Sequence, residues 1–398
     1  MNLLCIHCKG KGLCGQPCKI LNKFIDKAPK IKMHFSGSSP PEIFVGRMNY
    51  PNVYSGILAP ADKGDTGIMS LPEEWFLNNF SIEQILEYRA QLVYGRSINN
   101  IRAQKKLNEA MQEIAMASNS VSTEFFLKKR PTLNFSLSRI FSVMPSPALI
   151  KKVRLEENPN IKKKIDYLVN DTDAKAVDSL KELYYSGIIT SHLQKLLSAG
   201  LLGLKIQRKM VPTRWAITAV DDMLGKELLK KIKYYPEIKE IRLFHYYYNG
   251  NHFEILLIPD KFAFEVIEVA MPGGVWGGGI SYSQDYEGFF GRKTYAKNVV
   301  GAYYTDKLAV SEYLEKIKRQ AGILVLHEER EEYYAPLGVG IIRESIRQAM
   351  KNKFEVFPSI SNALSVMGGR LKAPIKKYKE MSWILNNYRK QKRLAEWF

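Results

Sequence analysis

Arg208-Lys209-Met210-Val211-Pro212-Thr213-Arg214-Trp215-Ala216-Ile217-Thr218-Ala219-Val220-Asp221-Asp222 is the stretch on which the reading of this chain turns. Just before and within it, Leu204, Ile206 and Met210 alternate with Lys205, Gln207 and Lys209, and an apolar run then ends abruptly at two aspartates. The pattern predicts a strand, a break at Pro212, a second strand and a helix start. It gathers Arg208, Lys209 and Arg214 with Asp221 and Asp222 beside a core element. Guanidinium forks grip phosphate oxygens and a carboxylate pair can hold a divalent cation, so the grouping suits a phosphate or a metal-bound phosphate. The same residues also fit a plain structural role, the commoner outcome for such a pattern. Asp221 or Asp222 can cap a helix continued by Met223, Leu224, Leu228 and Ile232, with Arg214 as its ion-pair partner.

Segments on either side extend the argument. Val211 to Asp222 resembles the signature of the Nre family of archaeal DNA repair proteins. So do the four amino-terminal cysteines, Phe35-Ser36-Gly37-Ser38-Ser39-Pro40-Pro41-Glu42-Ile43-Phe44-Val45-Gly46-Arg47, Asn170-Asp171-Thr172-Asp173-Ala174-Lys175-Ala176, Leu197-Ser198-Ala199-Gly200 and the last eight residues. The resemblance spans nearly the whole chain, and it implies a DNA repair protein that binds the sliding clamp PCNA.

Composition agrees with such a partner. The chain has 398 residues, 45% of them hydrophobic, enough for one large domain or two lobes. Its 59 Lys and Arg against 40 Asp and Glu give +19, which favours a polyanion through phosphate neutralisation and counterion release. No run of about 18 apolar residues occurs, and the amino terminus reaches cysteines before a signal-peptide apolar segment can form. The expectation is a cytoplasmic, nucleoid-associated protein with DNA as partner and no membrane.

All four cysteines fall in the spacing Cys5-x2-Cys8-x5-Cys14-x3-Cys18, with Gly10, Gly12 and Gly15 between them. Two short hooks of this kind turn sulfurs toward one tetrahedral Zn(II), and four thiolates leave no open position, so the role is structural. Reduced thiols or an iron–sulfur cluster are the alternatives. In the proline- and glycine-rich segment that follows, Gly37 and Ser38 are read as a turn whose amides cradle an anion, completed by Arg47. Asp173, in Asn170-Asp171-Thr172-Asp173, is a candidate metal- or phosphate-site group, although an aspartate ahead of a helix more often caps it.

Ser81-Ile82-Glu83-Gln84 opens a capped helix, and another is expected from about Ile101 to Met116. Asn249-Gly250 between two apolar runs predicts a tight hairpin. Glu265 and Glu268 could form a catalytic carboxylate pair near a basic site but as sequence neighbours are more often solvated or ion-paired, and Gly338-Val339-Gly340-Ile341-Ile342-Arg343 fails the dinucleotide fingerprint because Arg343 stands in place of its third glycine.

The fold class expected is α+β, a mixed core of helices and an antiparallel-containing sheet, with an amino-terminal zinc knuckle and a basic carboxy-terminal helical tail. The expected divisions are a zinc module at 1–30, a mostly helical lobe at 31–205, a strand-rich lobe at 206–357, a basic arm at 358–390 and a clamp peptide at 391–398. In that peptide, Leu394, Trp397 and Phe398 fall on one side of a helical turn as a three-pronged apolar plug, with Gln391 as an orienting amide. The function expected is clamp-recruited DNA repair through a basic and aromatic surface. The alternative is a metal-assisted phosphodiesterase or phosphatase with Arg47, Asp173, Arg214, Asp221 and Asp222 around the reacting phosphate and a divalent metal at a second site.

Overall fold

The computed structural model describes residues 18–103, 105–131, 134–276 and 278–388. These divide into two compact units, residues 18–224 with 335–341 and residues 225–334 with 342–388. Both units, as described, are α+β. Among the described residues, no helix is long and apolar enough to cross a membrane.

The first unit is built on a six-stranded sheet formed by β1 (His34–Ser39), β2 (Ile43–Val45), β3 (Asn52–Ala59), β4 (Val93–Asn100), β5 (Val121–Leu127) and β6 (Ser146–Leu155). Their order is β1-β5-β6-β4-β3-β2, antiparallel except for the β4–β6 pair. Pro147 sits where β6 pairs only with β4, and β5 joins from Ile150 onward, so a residue without an N–H interrupts no ladder on that side. Seven helices fill out this unit: α1 (Lys19–Lys27), α2 (Pro72–Leu77), α3 (Ile82–Gln91), α4 (Lys106–Met116), α5 (Lys163–Asn170), α6 (Ala176–Tyr185) and α7 (Thr190–Ser198). α3 starts in the expected capping box, Ser81 and Gln84 each bonding the other's backbone, and buries Ile82, Ile85 and Leu86.

Two expectations fail here. Residues 31–205, expected to be mostly helical, carry this entire sheet. β1 and β4 are rich in Ser, Gly and Asn, which have little intrinsic preference for strands, and cross-strand pairing rather than propensity holds them. Leu204 to Met210 is not a strand but a single 3-10 turn, Lys205–Gln207, within a loop, and the second expected strand belongs to the helix α8 (Thr213–Ile232). The helical signal was present: Ala216, Val220, Leu224, Leu228 and Ile232 recur every fourth residue and all are buried. Pro212 stands at the helix start, where its missing N–H costs nothing.

The second unit has a sheet of the same size, from β7 (Ile241–Tyr248), β8 (Asn251–Ile258), β9 (Ala263–Ala270), β10 (Ser281–Glu287), β11 (Gly322–Glu329) and β12 (Glu355–Phe357). The order is β10-β9-β11-β8-β7-β12, with β9 and β11 parallel. Asn249 and Gly250 turn the β7–β8 hairpin with φ of 49° and 80°, as expected of this dipeptide. α9 (Gly301–Ile317) crosses from β10 to β11, and α10 (Val339–Ala349), α11 (Ile360–Arg370), α12 (Ile375–Met381) and α13 (Trp383–Asn387) complete the described chain. Tyr378 and Ile384 enter the core against Leu256, Ile267 and Leu326, while Ile375, Leu385 and Tyr388 pack at its margin, so the arm is docked through Tyr388.

Glu265 and Glu268 are buried rather than solvated. The Glu265 carboxylate accepts hydrogen bonds from the Ser382 hydroxyl (2.6 Å) and the Trp383 and Ile384 amides (2.7 and 2.9 Å), fastening the start of α13. Glu328 does the same ahead of α12, accepting from the Lys372 and Ala373 amides (3.1 and 2.8 Å) and pairing with Arg330 at 2.9 Å. Orphan amides at helix starts are natural partners for a buried carboxylate.

Candidate nucleic-acid interface

Three of the segments singled out in the sequence meet in the first unit. The Thr213 hydroxyl accepts from the Val45 amide at 2.9 Å and lies 3.2 Å from the Ser198 hydroxyl, which donates to the Val211 carbonyl at 2.9 Å. Because the Ser198 proton is committed to Val211, Thr213 must supply the proton of the bond between the two hydroxyls. Val211 returns its own amide to the Ser198 carbonyl at 3.0 Å. Gly200 adopts φ 74°, and a Cβ there would stand 2.6 Å from the Lys209 backbone, so only glycine lets the two chains pass. The Phe35–Arg47, Leu197–Gly200 and Val211–Asp222 segments are therefore one structural junction.

The chemistry-bearing residues part company around it. Arg208 donates to the carbonyls of Gly203, Val169 and Asp171 at 2.7, 2.6 and 2.7 Å, so its guanidinium staples the end of α5 to the loop after α7. Burial lowers its pKa, but an arginine starts so high that it stays cationic. Asp171 closes a turn by accepting from the Asp173 and Ala174 amides, and Asp173 itself is solvent-exposed. Gly37 and Ser38 form no turn. They lie in β1, where the Ser38 amide is taken by the Asp62 carbonyl at 2.9 Å and a Cβ on Gly37 would collide with Pro60. The amide cradle expected there does not exist. Asp221 is fully buried and accepts from Gln194 at 3.2 Å; Asp222 is half-buried beside it. Eight residues of α8 separate Asp221 from Thr213, about 12 Å along the axis. Neither aspartate caps a helix, since both stand in the interior of α8. Their partners thus put the glycine segment, Asp173 and Asp221 in three separate neighbourhoods. Among the described residues, no group of three or more His, Cys, Asp or Glu is arranged to hold a metal ion.

Other residues do come together, on the surface of the junction. The Ile101 amide bonds the Pro51 carbonyl at 3.0 Å, the Met210 amide bonds the Ile101 carbonyl at 2.9 Å, and Arg102 reaches the Ile206 carbonyl at 3.2 Å. These bonds tie the loop before β3, the loop after β4 and the loop before α8 into one face. On it, Tyr50 and Trp215, 41% and 43% exposed, stand with ring centroids 5.3 Å apart at 53°. Arg47, Arg102 and Lys209 are exposed and Arg214 is half-buried in the first turn of α8. Residues 43–61, 92–108 and 183–220, the stretches that contain these contacts, have no Asp or Glu at all. Tyr50 and Arg102 carry no motif of their own in the sequence, and the signal that points to them there is the charge segregation of these acid-free segments. Elsewhere in the unit, Arg89 is buried and paired with Glu42 at 2.7 Å, and burial pushes the pKa of the nearby Lys195 ammonium down.

Cys18 is the one expected zinc ligand within the described residues; Cys5, Cys8 and Cys14 lie outside them, as do Gln391, Leu394, Trp397 and Phe398. Cys18 is the N-cap of α1, with Sγ accepting from the Leu21 amide at 3.3 Å.

The fold and face define a two-unit α+β protein with a cationic surface bearing aromatic rings. The chain belongs to the archaeal Nre family: its amino-terminal family model matches residues 13–277 and its carboxy-terminal model residues 287–397. Among relatives, the DNA repair protein NreB of Archaeoglobus fulgidus is 34% identical over 97% of this chain and 98% of its own length. The DNA repair protein NreA of the same organism is 36% identical over 93% and 94%, and the DNA repair protein NreA of Haloferax volcanii 34% identical over 80% and 78%. No solved structure matches the chain.

Proposed function

We propose that this chain is a DNA repair factor that binds DNA through the Tyr50–Trp215 face and is recruited by the sliding clamp PCNA through Gln391 to Phe398. The names of its relatives support the repair role. The observation that carries the DNA reading is the pairing of two exposed rings, Tyr50 and Trp215, on segments that carry exposed cations and no acid. Cations of this kind neutralise phosphates, and exposed rings stack on bases. The clamp reading rests on the carboxy-terminal peptide pattern, and the structural zinc on the spacing of Cys5, Cys8, Cys14 and Cys18.

The deciding experiment measures DNA affinity by fluorescence anisotropy over a range of salt. Arg47→Ala and Arg102→Ala should each lower the salt slope by about 0.9, and Trp215→Ala should weaken single-strand binding about tenfold, the loss of one base stack. Unchanged affinity and slope in the triple variant would remove the face from the proposal. Deleting 391–398 should abolish PCNA binding in calorimetry and leave DNA affinity alone, and metal analysis should find one zinc per chain.

A further inference from the structure

We propose that the Phe289–Phe290 turn in the second unit is an aromatic wedge that enters the base stack of DNA where the duplex is mispaired or distorted. The inference rests on the DNA-binding reading above but uses residues apart from the Tyr50–Trp215 face. Gly288 to Gly291 form a tight turn closed by the Gly291 amide on the Gly288 carbonyl at 2.9 Å, with Gly291 at φ 78°, and the two phenylalanines are its tip. Phe290 is 97% exposed, an unusual position for a large apolar ring in a turn this well held.

The holding is specific. Arg292 donates to the carbonyls of Tyr286, Thr294 and Tyr295 at 3.2, 3.1 and 3.4 Å and pairs with buried Asp285 at 2.9 Å. Asp285 also accepts from the Asn298 and Val299 amides at 2.9 and 2.8 Å, and the Tyr304 hydroxyl accepts from the Ala296 amide at 2.9 Å. On the other flank Tyr286 stacks on Trp383 at 5.0 Å and 9°. The tip is therefore braced against the sheet on both sides, and bracing lets an inserted ring push on a stack without folding back.

The charge around the tip identifies the partner. The Lys233 and Lys261 ammonium groups lie 5.3 and 5.8 Å from the Phe289 ring centre, and Lys293 and Lys297 are exposed on the same loop. Residues 288–305 contain no acidic side chain. An apolar wedge rimmed by cations matches a nucleic acid, whose phosphates lie on either side of the bases being parted. Insertion costs unstacking, which is least where a mismatch has already weakened the stack.

The test uses the full chain with a duplex carrying 2-aminopurine beside a mismatch, and the same duplex fully paired. Wild type should raise 2-aminopurine fluorescence on the mismatched duplex and bind it more tightly than the paired one. Phe290→Ala, fully exposed and so no threat to folding, should abolish the fluorescence rise and lower mismatch affinity about tenfold, with paired-duplex affinity held within about twofold; Phe290→Trp should retain the rise. Binding to both duplexes without any fluorescence change, or an unaltered rise in Phe290→Ala, overturns the wedge and leaves the DNA-binding reading standing. No binding to either duplex defeats that reading itself. Vesicles with anionic headgroups form the last arm: binding lost in Phe290→Ala, with no effect on either duplex, would assign the tip to a membrane surface and overturn the proposal.

Discussion

The two units carry sheets of equal size, each with one parallel pair, yet the described strands of the first bury one carboxylate, Glu124, and those of the second bury several. In the first, cations gather on an outer face while Arg208 serves as a staple between loops. In the second, Glu254, Glu265, Glu268 and Glu328 are all buried on β8, β9 and β11. The difference teaches that burial of a charge depends on the partners waiting for it. Helix starts offer several amides at one point, and a carboxylate that satisfies them can enter a core. An exposed guanidinium meets no such demand: Arg102 reaches the Ile206 carbonyl and still faces solvent.

The comparison predicts a large asymmetry in what removing a charge does. Glu265→Ala leaves the Ser382 hydroxyl and the Trp383 and Ile384 amides without their acceptor, and at about 1–3 kcal/mol for each unsatisfied donor the second unit should lose about 3–5 kcal/mol in urea unfolding. Arg102→Ala, on the open face, should stay within about 0.5 kcal/mol of wild type. Equal losses would break the comparison.

A second prediction concerns acid. His192 is buried with its ring Nε2 on the Ala115 carbonyl at 2.9 Å, which fixes the neutral tautomer with Nε2 as donor, and burial pushes its pKa down to about 4 from an ordinary 6.5. The unfolded chain gains a proton below 6.5 that the folded chain refuses until about 4, so stability falls as pH drops through that window. The loss should total about 3 kcal/mol. His192→Gln keeps a donor for Ala115 without titrating, and its unfolding free energy should lose that slope. Retention of the slope in the variant would assign the acid sensitivity elsewhere.

The smallest effect sharpens the account of the junction. Thr213→Val keeps the shape but deprives the Val45 amide of its acceptor and Ser198 of a donor, which should cost about 1–2 kcal/mol. Hydrogen exchange should show the Val45 amide opening faster while β11 is unchanged.

Much of the architecture was legible because its causes are local. The capping box at Ser81 and Gln84 and the positive-φ turn at Asn249–Gly250 depend on a few adjacent residues, and both formed where their patterns stood. Leu204 to Val220 departs from the strand expected because its alternation is short, whereas the four-residue recurrence from Ala216 to Ile232 runs the length of a helix whose buried face it supplies. Polar strands such as β4 were invisible because their partners, Asn52–Ala59 and Ser146–Leu149, supply the reason for their conformation.

For the site, the sequence by itself determined the family, the net charge and which segments matter, since composition and motifs are properties of the chain. Tertiary structure alone decided what those segments do. It spent the Ser38 amide and the Arg208 guanidinium on protein carbonyls, and buried Asp221 beside Gln194. It set Tyr50 next to Trp215, 165 positions apart in the chain. A side chain's chemistry is written in its residue type, but whether that chemistry is consumed within the fold or offered outward depends on neighbours that only folding brings within hydrogen-bonding distance.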